Sequence, residues 1–419
     1  MLISFIALYI AVFFLMAGVG LLGTLLPLRL TLENISAHTV GFVLSSYYLG
    51  MVVGSFYCHR LIKSVGHIRS FVAFGAVVTA VVMLHGLNIS PFFWAVLRFI
   101  TGVSTIGLYM VVESWLNECS EPHWRGRVLS FYMVMSYLGM GLSQQLLNIF
   151  DVGNVQLFFV VGFLLTLCLV PVAVTQSIHP KLPEFERFSV FEMFRKAPSG
   201  MIGCFAAGLL SSAFYSIGPI FCIQAGFSVT QLSLVMTVAI FGGLLLQWPV
   251  GNISDRFDRV FVLSAIGMVV ALLSVFIIFT AEKTFAGFLI SMTLFGGLIF
   301  TIYPVSIARA HDLSDAANIV PISSVLLLFY GCGAMVGPIL ASAAMSAAGS
   351  AYGFFVYCAA IAAMFALVIF YLRKKEIVTV VAAEDNVEFV MMKNTSPVAV
   401  MIDPRTAVED DDVLVEKNE

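Results

Sequence analysis

The chain has 419 residues, of which 60% are hydrophobic and only 11% are charged, and its mean hydropathy is +1.01. A soluble domain carries roughly 25% charged residues, so this composition excludes a water-soluble globular fold. The net charge of −3 says little about partners because the charges are placed unevenly, and no feature of the chain predicts a nucleic-acid partner.

Twelve continuously apolar stretches follow one another along the chain. Each has about the 20 residues that a helix needs to cross the hydrocarbon core of a bilayer. They lack the two-residue alternation of barrel strands, and a backbone in lipid must satisfy its own hydrogen bonds, so we predict helices. The predicted spans are 4–28, 38–59, 68–87, 91–115, 128–150, 154–176, 199–223, 228–250, 260–280, 284–308, 319–343 and 351–372. The predicted fold class is all-α membrane, integral and multi-pass, with the lipid bilayer as a partner.

Basic residues lie on one side of the predicted topology. With a cytoplasmic N-terminus, the inner loops and the start of the C-terminal tail hold fifteen lysines and arginines. The outer loops hold only Arg29 and Lys283. Because cytoplasmic loops are enriched in basic residues, we predict that both termini are cytoplasmic.

The longest internal polar connection lies between the sixth and seventh spans. It divides the chain into an N-terminal six-helix bundle (1–176), a cytoplasmic central loop (177–198), a C-terminal six-helix bundle (199–372) and an acidic cytoplasmic tail (373–419). The acidic end of the tail predicts a solvated segment. The alternative for the tail is that two short apolar patches, Val387–Met392 and Val398–Ile402, dock on the rest of the molecule.

The short loop between spans eight and nine carries a recognisable pattern. It reads Gly251-Asn-Ile-Ser-Asp255-Arg256-Phe-Asp258-Arg259. This resembles the G-x-x-x-D-R-x-G-R loop signature of the major facilitator superfamily, with Asp258 where the signature usually has glycine. An acid and two arginines at two helix ends can bridge neighbouring helices in one conformation and release them in another. The loop between spans two and three is basic but lacks the aspartate, so a lock of this kind is in doubt in the N-terminal half.

Span four carries a second pattern that resembles the same superfamily. Arg98-Phe-Ile-Thr-Gly102 is followed by Arg125-Gly-Arg127, which starts twenty-seven residues after Arg98. With the twelve spans, the central loop and the loop signature, the resemblance covers nearly the whole chain. It implies two six-helix bundles, a substrate site at their interface and rocking alternating access.

Two further strings narrow the resemblance to a bacterial branch of the superfamily, the YcaD type. They are Glu113-Ser-Trp-Leu-Asn117 and Gln247-Trp-Pro-Val-Gly251. This branch implies a bacterial inner (plasma) membrane and leaves the substrate unassigned. The Gly-Pro pair of the superfamily's antiporters is missing from span five, which weakens an assignment as a proton-coupled drug exporter.

Arg98 and Glu113 are the clearly charged residues inside the predicted spans. A charge at the bilayer centre is costly, so Arg98 should face the bundle interior, where Gln144, Gln145 or water would bond its guanidinium. Arg98 could clamp span four, or bind an anionic substrate group or tune a proton site. Glu113 lies roughly 22 Å further along the helix and cannot pair with Arg98. It could pair structurally with inner-loop arginines or carry a coupling proton.

Other polar residues complete the candidate site. Asp312, at the inner end of span ten, is predicted to join a charge cluster with Arg256 and Arg259. Tyr303 precedes a mid-span proline, which frees a backbone carbonyl that a cavity could use. The remaining candidates on cavity-facing helices are Tyr47, Tyr48, Ser212, Tyr215 and Gln247.

The motifs favour a carrier over an enzyme. The chain has no GxSxG, HExxH or GxxxxGK motif, and its cysteines are scattered singly, so we predict no catalytic residues, cofactor or metal. The leading interpretation is a monomeric secondary active or facilitative transporter of a small organic solute, with a coupling proton as an option. The alternatives are a lipid or amphiphile translocator, and a transporter-like membrane sensor.

Overall fold

A computed structural model of the chain describes residues 2–118, 120–121, 124–174, 194–281, 283–314, 319–375, 389–392 and 394–402. Residues 177–193 of the predicted central loop, and residues 376–388 and 403–419 of the tail, lie outside this range. The described residues form twelve long α-helices and two short 3-10 helices. The long helices are α1 (Leu2–Leu32), α2 (Ala37–Val65), α3 (His67–His85), α4 (Pro91–Glu118), α5 (Arg125–Ser143), α6 (Gln156–Ala173), α7 (Pro198–Gln224), α8 (Val229–Arg256), α9 (Arg259–Thr280), α10 (Phe285–Asp312), α11 (Ile319–Ala348) and α12 (Gly353–Lys375); the short ones are Gln144–Asn148 and Pro397–Ile402.

Each predicted span corresponds to one of these helices, in chain order. In the described part of the chain, eleven of them are long and apolar enough to cross a bilayer, and α5 falls short of that standard. The prediction of an all-helical, multi-pass membrane protein is therefore confirmed. The largest difference is at α5, which ends at Ser143 and continues as a 3-10 turn. There the Gln144 side chain donates to the Met140 carbonyl at 3.0 Å and competes with the helical backbone for that acceptor.

Large apolar side chains on the outside of the helices fit a lipid environment. Phe163, Leu245, Trp248 and Phe279 are each more than 60% exposed. In water, apolar patches of this kind would promote aggregation. In a bilayer they face acyl chains.

Helices α2 and α4 cross closely at two glycines. A Cβ at Gly50 would overlap the Phe99 carbonyl oxygen, and a Cβ at Gly102 would overlap the Tyr47 carbonyl oxygen. Small residues at such crossings let membrane helices approach backbone to backbone. Because Arg98 lies one turn before Gly102, the crossing brings its side chain to Tyr47.

The first six helices meet the last six mainly through three helix pairs. These are α2 with α11, α5 with α8, and α1 with α7. We call the surface at which these pairs meet the seam. Helix α7 is the most buried of the spans, which places it inside the molecule rather than at its rim.

Candidate functional site

A cavity of about 90 Å³ lies at the seam. Residues of α1, α2, α4, α5, α7 and α11 line it, together with residues of the 389–402 segment. We call it the central cavity. Its polar and aromatic lining residues are Tyr47, Tyr48, Arg98, Tyr109, Tyr215, Ser216, Tyr330, Asn394 and Thr395.

Arg98 is buried, with 5% of its surface exposed, and it faces the central cavity, not lipid. Its guanidinium carbon lies 4.2 Å from the centre of the Tyr47 ring. Such a cation–π contact contributes about 2 kcal/mol when desolvated. Among the described residues Arg98 has no acidic partner, and its Nε has no hydrogen-bond acceptor. A buried cation that lacks a counter-ion is suited to an acceptor group brought by a ligand.

Gln144 and Gln145, the predicted partners of Arg98, form other hydrogen bonds. Gln144 accepts from the Thr24 hydroxyl of α1 at 2.6 Å. Gln145 donates to the Thr237 hydroxyl and the Ser233 carbonyl of α8, at 2.7 and 3.2 Å. The two amides therefore hold the 3-10 turn against α1 and α8, and the Tyr47 ring takes the place beside Arg98.

Glu113 is fully buried on α4 and is surrounded by hydroxyl groups. Its Oε1 accepts from the Tyr132 hydroxyl at 2.7 Å and from the Thr395 hydroxyl, and its Oε2 accepts from the Ser396 hydroxyl. The described residues place no arginine or lysine in ion-pair contact with it, in contrast to the structural alternative of pairing with loop arginines. Three neutral donors can hold either a carboxylate or, after rotation of their hydroxyls, a carboxylic acid.

Tyr215, Tyr303 and Gln247 lie close to the central cavity. Tyr215 stacks on Phe300, with ring centres 5.2 Å apart. Tyr303 packs edge-on to Tyr330 at 5.1 Å, and both rings line a smaller neighbouring cavity. Gln247 is buried and donates to the Tyr137 hydroxyl at 2.6 Å, which connects α8 to α5 across the seam.

The loop pattern at residues 251–259 forms a cluster of charges that joins four helix ends, those of α8, α9, α10 and α12. Arg259, with a fully buried side chain, pairs with Asp312 at 2.6 Å and with Asp255 at 2.7 Å. Asp258 caps α9 through the Val260 amide and pairs with Arg373 at 2.7 Å. Arg256 is exposed and does not pair with Asp312 in the described structure. Of the predicted arginine pair, it is therefore Arg259 that contacts Asp312.

The sequence matches the profile described as Major Facilitator Superfamily over residues 8–317 and 200–399. The chain belongs to the Major Facilitator Superfamily. It is 31% identical to the uncharacterized MFS-type transporter YcaD of Escherichia coli O17:K52:H18 over 323 residues, which cover 77% of this chain and 83% of the relative. It is 30% identical to the protein of the same name in Salmonella typhi over 331 residues, covering 78% and 85%. The resemblance inferred from the loop and span-four patterns is confirmed.

Solved structures of the superfamily share this fold at low sequence identity. The nucleoside transporter NupG superposes with a TM-score of 0.70 at 12% identity, covering 90% of this chain and 98% of NupG. A bacterial homologue of the human lysosomal transporter Spinster, solved inward-facing and unoccupied, gives 0.67 at 13% identity, covering 92% and 98%. These similarities establish the fold. The bacterial relatives also agree with an inner-membrane location.

The site includes residues that sequence reasoning did not select. Tyr109 and Tyr330 line the central cavity. Tyr330 lies in an apolar run of α11, where a tyrosine in sequence resembles an interface anchor. Tyr330, like Tyr303, lies in the middle of a predicted span. The argument that favoured Tyr303 could therefore have selected Tyr330 as well. Asn394 and Thr395 had no signal, because their position depends on the tail folding back between the helices.

Proposed function

We propose that this superfamily member is a secondary active or facilitative transporter that moves a small organic solute by rocking alternating access. The observation that carries the proposal is Arg98, a buried cation without an acidic partner in the described structure, beside a cavity lined from both halves of the chain. A site at such an interface can be exposed to one side of the membrane and then to the other as the halves rock.

The lining of the central cavity favours a solute with an anionic or strongly accepting group and an apolar or aromatic body. Arg98 would bind the acceptor group, since guanidinium forms charge-assisted hydrogen bonds with carboxylates and phosphates. Tyr47, Tyr48, Tyr215 and Tyr330 would contact the remainder of the solute. Under this proposal the Arg98–Tyr47 contact positions the guanidinium for binding.

The proposal includes a topology and a division of the chain. Residues 1–176 and 199–372 form two six-helix bundles, and both termini and the 177–198 connection are cytoplasmic. Basic residues on that side support it. The ion pairs of Arg259 with Asp255 and Asp312 then lie at the cytoplasmic end, where they would hold α8, α9 and α10 together through one state of the cycle. A reporter enzyme that works only outside the cell can be fused within 177–198. Activity of that reporter would refute the topology.

Two alternatives remain, and an observation favours the first of them. A neighbouring cavity lined by Met51, Val52, Ile106, Leu327 and Leu328 is apolar, which favours a lipid or amphiphile as the solute. A membrane sensor would bind a ligand at Arg98 without moving it. Flux separates a sensor from a carrier, and the chemistry of the stabilising ligand separates the two kinds of carrier.

A thermal-shift screen of the detergent-purified protein tests the proposed site. Metabolites and amphiphiles are compared for the chain with Arg98 intact and for Arg98→Ala and Arg98→Lys. We expect anionic solutes to raise the unfolding midpoint of the intact chain, with that shift lost in Arg98→Ala and partly retained in Arg98→Lys. Equal shifts in the intact chain and Arg98→Ala would place the ligand elsewhere and overturn the assignment.

A further inference from the structure

Residues 389–392 and 394–402 of the tail fold back into the seam and do not extend into solvent. This agrees with the alternative that the apolar patches of the tail dock on the rest of the molecule. Met392, Val398 and Ile402 are each at most 2% exposed, and Thr395 and Ser396 are at most 3% exposed. The Pro397–Ile402 turn contacts α4 and α5 on one side and α11 on the other. We call residues 389–392 and 394–402 the plug segment.

Two acidic residues bind the plug segment, one at its first residue and one near its middle. The Phe389 amide donates to both carboxylate oxygens of Asp255, at 3.0 and 3.1 Å. The Thr395 and Ser396 hydroxyls donate to Glu113. The plug segment therefore runs from the loop pattern at the end of α8 to the buried carboxylate of α4.

Gly251, the first residue of the loop pattern, makes room for the plug segment. A Cβ at this position would overlap the Phe389 ring. The close packing of Gly251 against Phe389 is a second contact between the loop pattern and the plug segment, and it is independent of the Asp255 hydrogen bonds.

The plug segment also closes the space at the seam. Asn394 lines the central cavity and both of its smaller neighbours. Along α4 the central cavity extends from Arg98 to Tyr109, roughly 16 Å, and Thr395 closes it beside Glu113. A solute leaving the cavity in that direction would meet the plug segment.

We propose that the plug segment is an intramolecular plug that blocks one end of the solute pathway and must leave the seam before that end opens. The inference rests on the proposed function, since it takes the central cavity as the pathway. Because the plug segment contacts α4, α5, α8 and α11 together, it also bridges the two halves that would rock apart. Ordering such a segment costs conformational entropy that offsets much of the gain from burial, so release is accessible.

Labelling of a cysteine introduced in the blocked space tests the plug without any transport measurement. Ser55 lines a cavity closed by Asn394, Thr395 and Pro397, so Ser55→Cys reports its access to water. The rate of reaction with a bulky hydrophilic maleimide is measured in detergent, after subtraction of the rate for the same chain with Ser55 intact. Ser55→Cys is compared in the full chain, in a chain ending at Lys375, and in a control chain ending at Val408 that keeps the plug segment.

We expect at least tenfold faster labelling in the chain ending at Lys375, and the rate of the full chain in the control. The full-length variant Thr395→Val with Ser396→Ala, which removes the two hydroxyl groups that the plug segment donates to Glu113, should also react faster. This variant keeps the test informative if the shortened chain folds poorly. Equal rates in the full chain, the double variant and the chain ending at Lys375 would overturn the plug.

Flux measurements then separate the plug from the proposed function. If the chain ending at Lys375 labels faster and transports a stabilising solute faster, both proposals are supported. If it labels faster but neither chain transports any solute, the segment closes the cavity but the carrier assignment, and with it the solute pathway, fails. If both chains transport at the same rate and label equally, the carrier stands and the plug is refuted.

Discussion

At the scale of single residues, the two buried charges of α4, Arg98 and Glu113, have unlike surroundings. Arg98 has an aromatic face and no acidic partner among the described residues, whereas Glu113 has three hydroxyl donors. The two are too far apart along α4 to neutralise each other. Each is therefore available to a ligand, a proton or the plug segment.

The Arg98–Tyr47 contact predicts a difference between two substitutions of the same tyrosine. Tyr47→Phe keeps an aromatic face 4.2 Å from the guanidinium carbon, and Tyr47→Leu removes it. We expect Tyr47→Leu to weaken binding of an anionic solute by about fivefold to thirtyfold, which corresponds to the roughly 1–2 kcal/mol of such a contact. Tyr47→Phe should bind within about twofold of the parent. Titration calorimetry measures both, and equal losses would show that the hydroxyl, not the ring, matters.

Glu113 predicts the pH response of transport. If its carboxyl group exchanges a proton during the cycle, flux should vary between mildly acidic and mildly alkaline buffer, and Glu113→Gln should remove that variation. The comparison is made in the chain ending at Lys375, so that docking of the plug segment does not contribute. Tyr132→Phe is the control, because it removes one hydroxyl donor and keeps the carboxyl group. An unchanged pH profile in Glu113→Gln would exclude Glu113 as the coupling site.

At the scale of helices, ion pairs and glycine crossings hold neighbouring elements together. Arg259 ties the start of α9 to the end of α10 through Asp312 and to the end of α8 through Asp255. The Asp312 side chain is 1% exposed and that of Asp255 is 29% exposed. Solvent screens the second pair more than the first, so the two aspartates should not contribute equally.

Substitution of these aspartates tests that difference. Asp312→Asn leaves the buried Arg259 charge without its most buried partner, and breaking a buried pair typically costs about 3–5 kcal/mol. Asp255→Asn should cost about 1 kcal/mol or less through Arg259, because that pair is partly solvated. We expect a clearly larger fall of the thermal unfolding midpoint in detergent for Asp312→Asn. A larger fall for Asp255→Asn would contradict this account of the cluster.

The α2–α4 crossing makes a separate prediction about stability. Gly102→Ala places a Cβ against the Tyr47 carbonyl oxygen and must push the two helices apart. Gly23→Ala is the matched control, since a Cβ there meets nothing within 4 Å and alanine favours the helix by about 1 kcal/mol. Gly102→Ala should lower the unfolding midpoint and the ligand affinity, whereas Gly23→Ala should leave the midpoint unchanged or raised. Similar midpoints for the two variants would argue against a tight crossing.

The sequence predicts the helices of this structure better than it predicts the contacts within the candidate site. The helices were predictable because lipid requires long apolar segments, and the exception, α5, ends early where the Gln144 side chain competes with its backbone. Tyr47, Tyr48, Arg98 and Tyr215 were selected as mid-span polar residues, and all four line the central cavity. The partners of Arg98 and Glu113 were not predictable, because they depend on helix rotation and on a tail segment distant in sequence.

At the scale of the whole molecule, the central cavity, the charge cluster and the plug segment form one connected arrangement. The plug segment contacts Asp255 of the cluster and Glu113 beside the cavity, so its release would free both at once. In this account the resting protein is closed at that end. Opening then requires loss of the plug contacts before the halves can rock.

Solute flux into proteoliposomes shows whether the cavity at Arg98 is a transport site. A radiolabelled anionic solute that stabilises the purified protein is followed in vesicles holding the intact chain, Arg98→Ala or no protein. We expect saturable uptake with the intact chain and background uptake in both other preparations. Uptake by Arg98→Ala equal to that of the intact chain would contradict the site. If the solute stabilises the intact chain but is taken up neither by the intact chain nor by the chain ending at Lys375, the carrier assignment is contradicted.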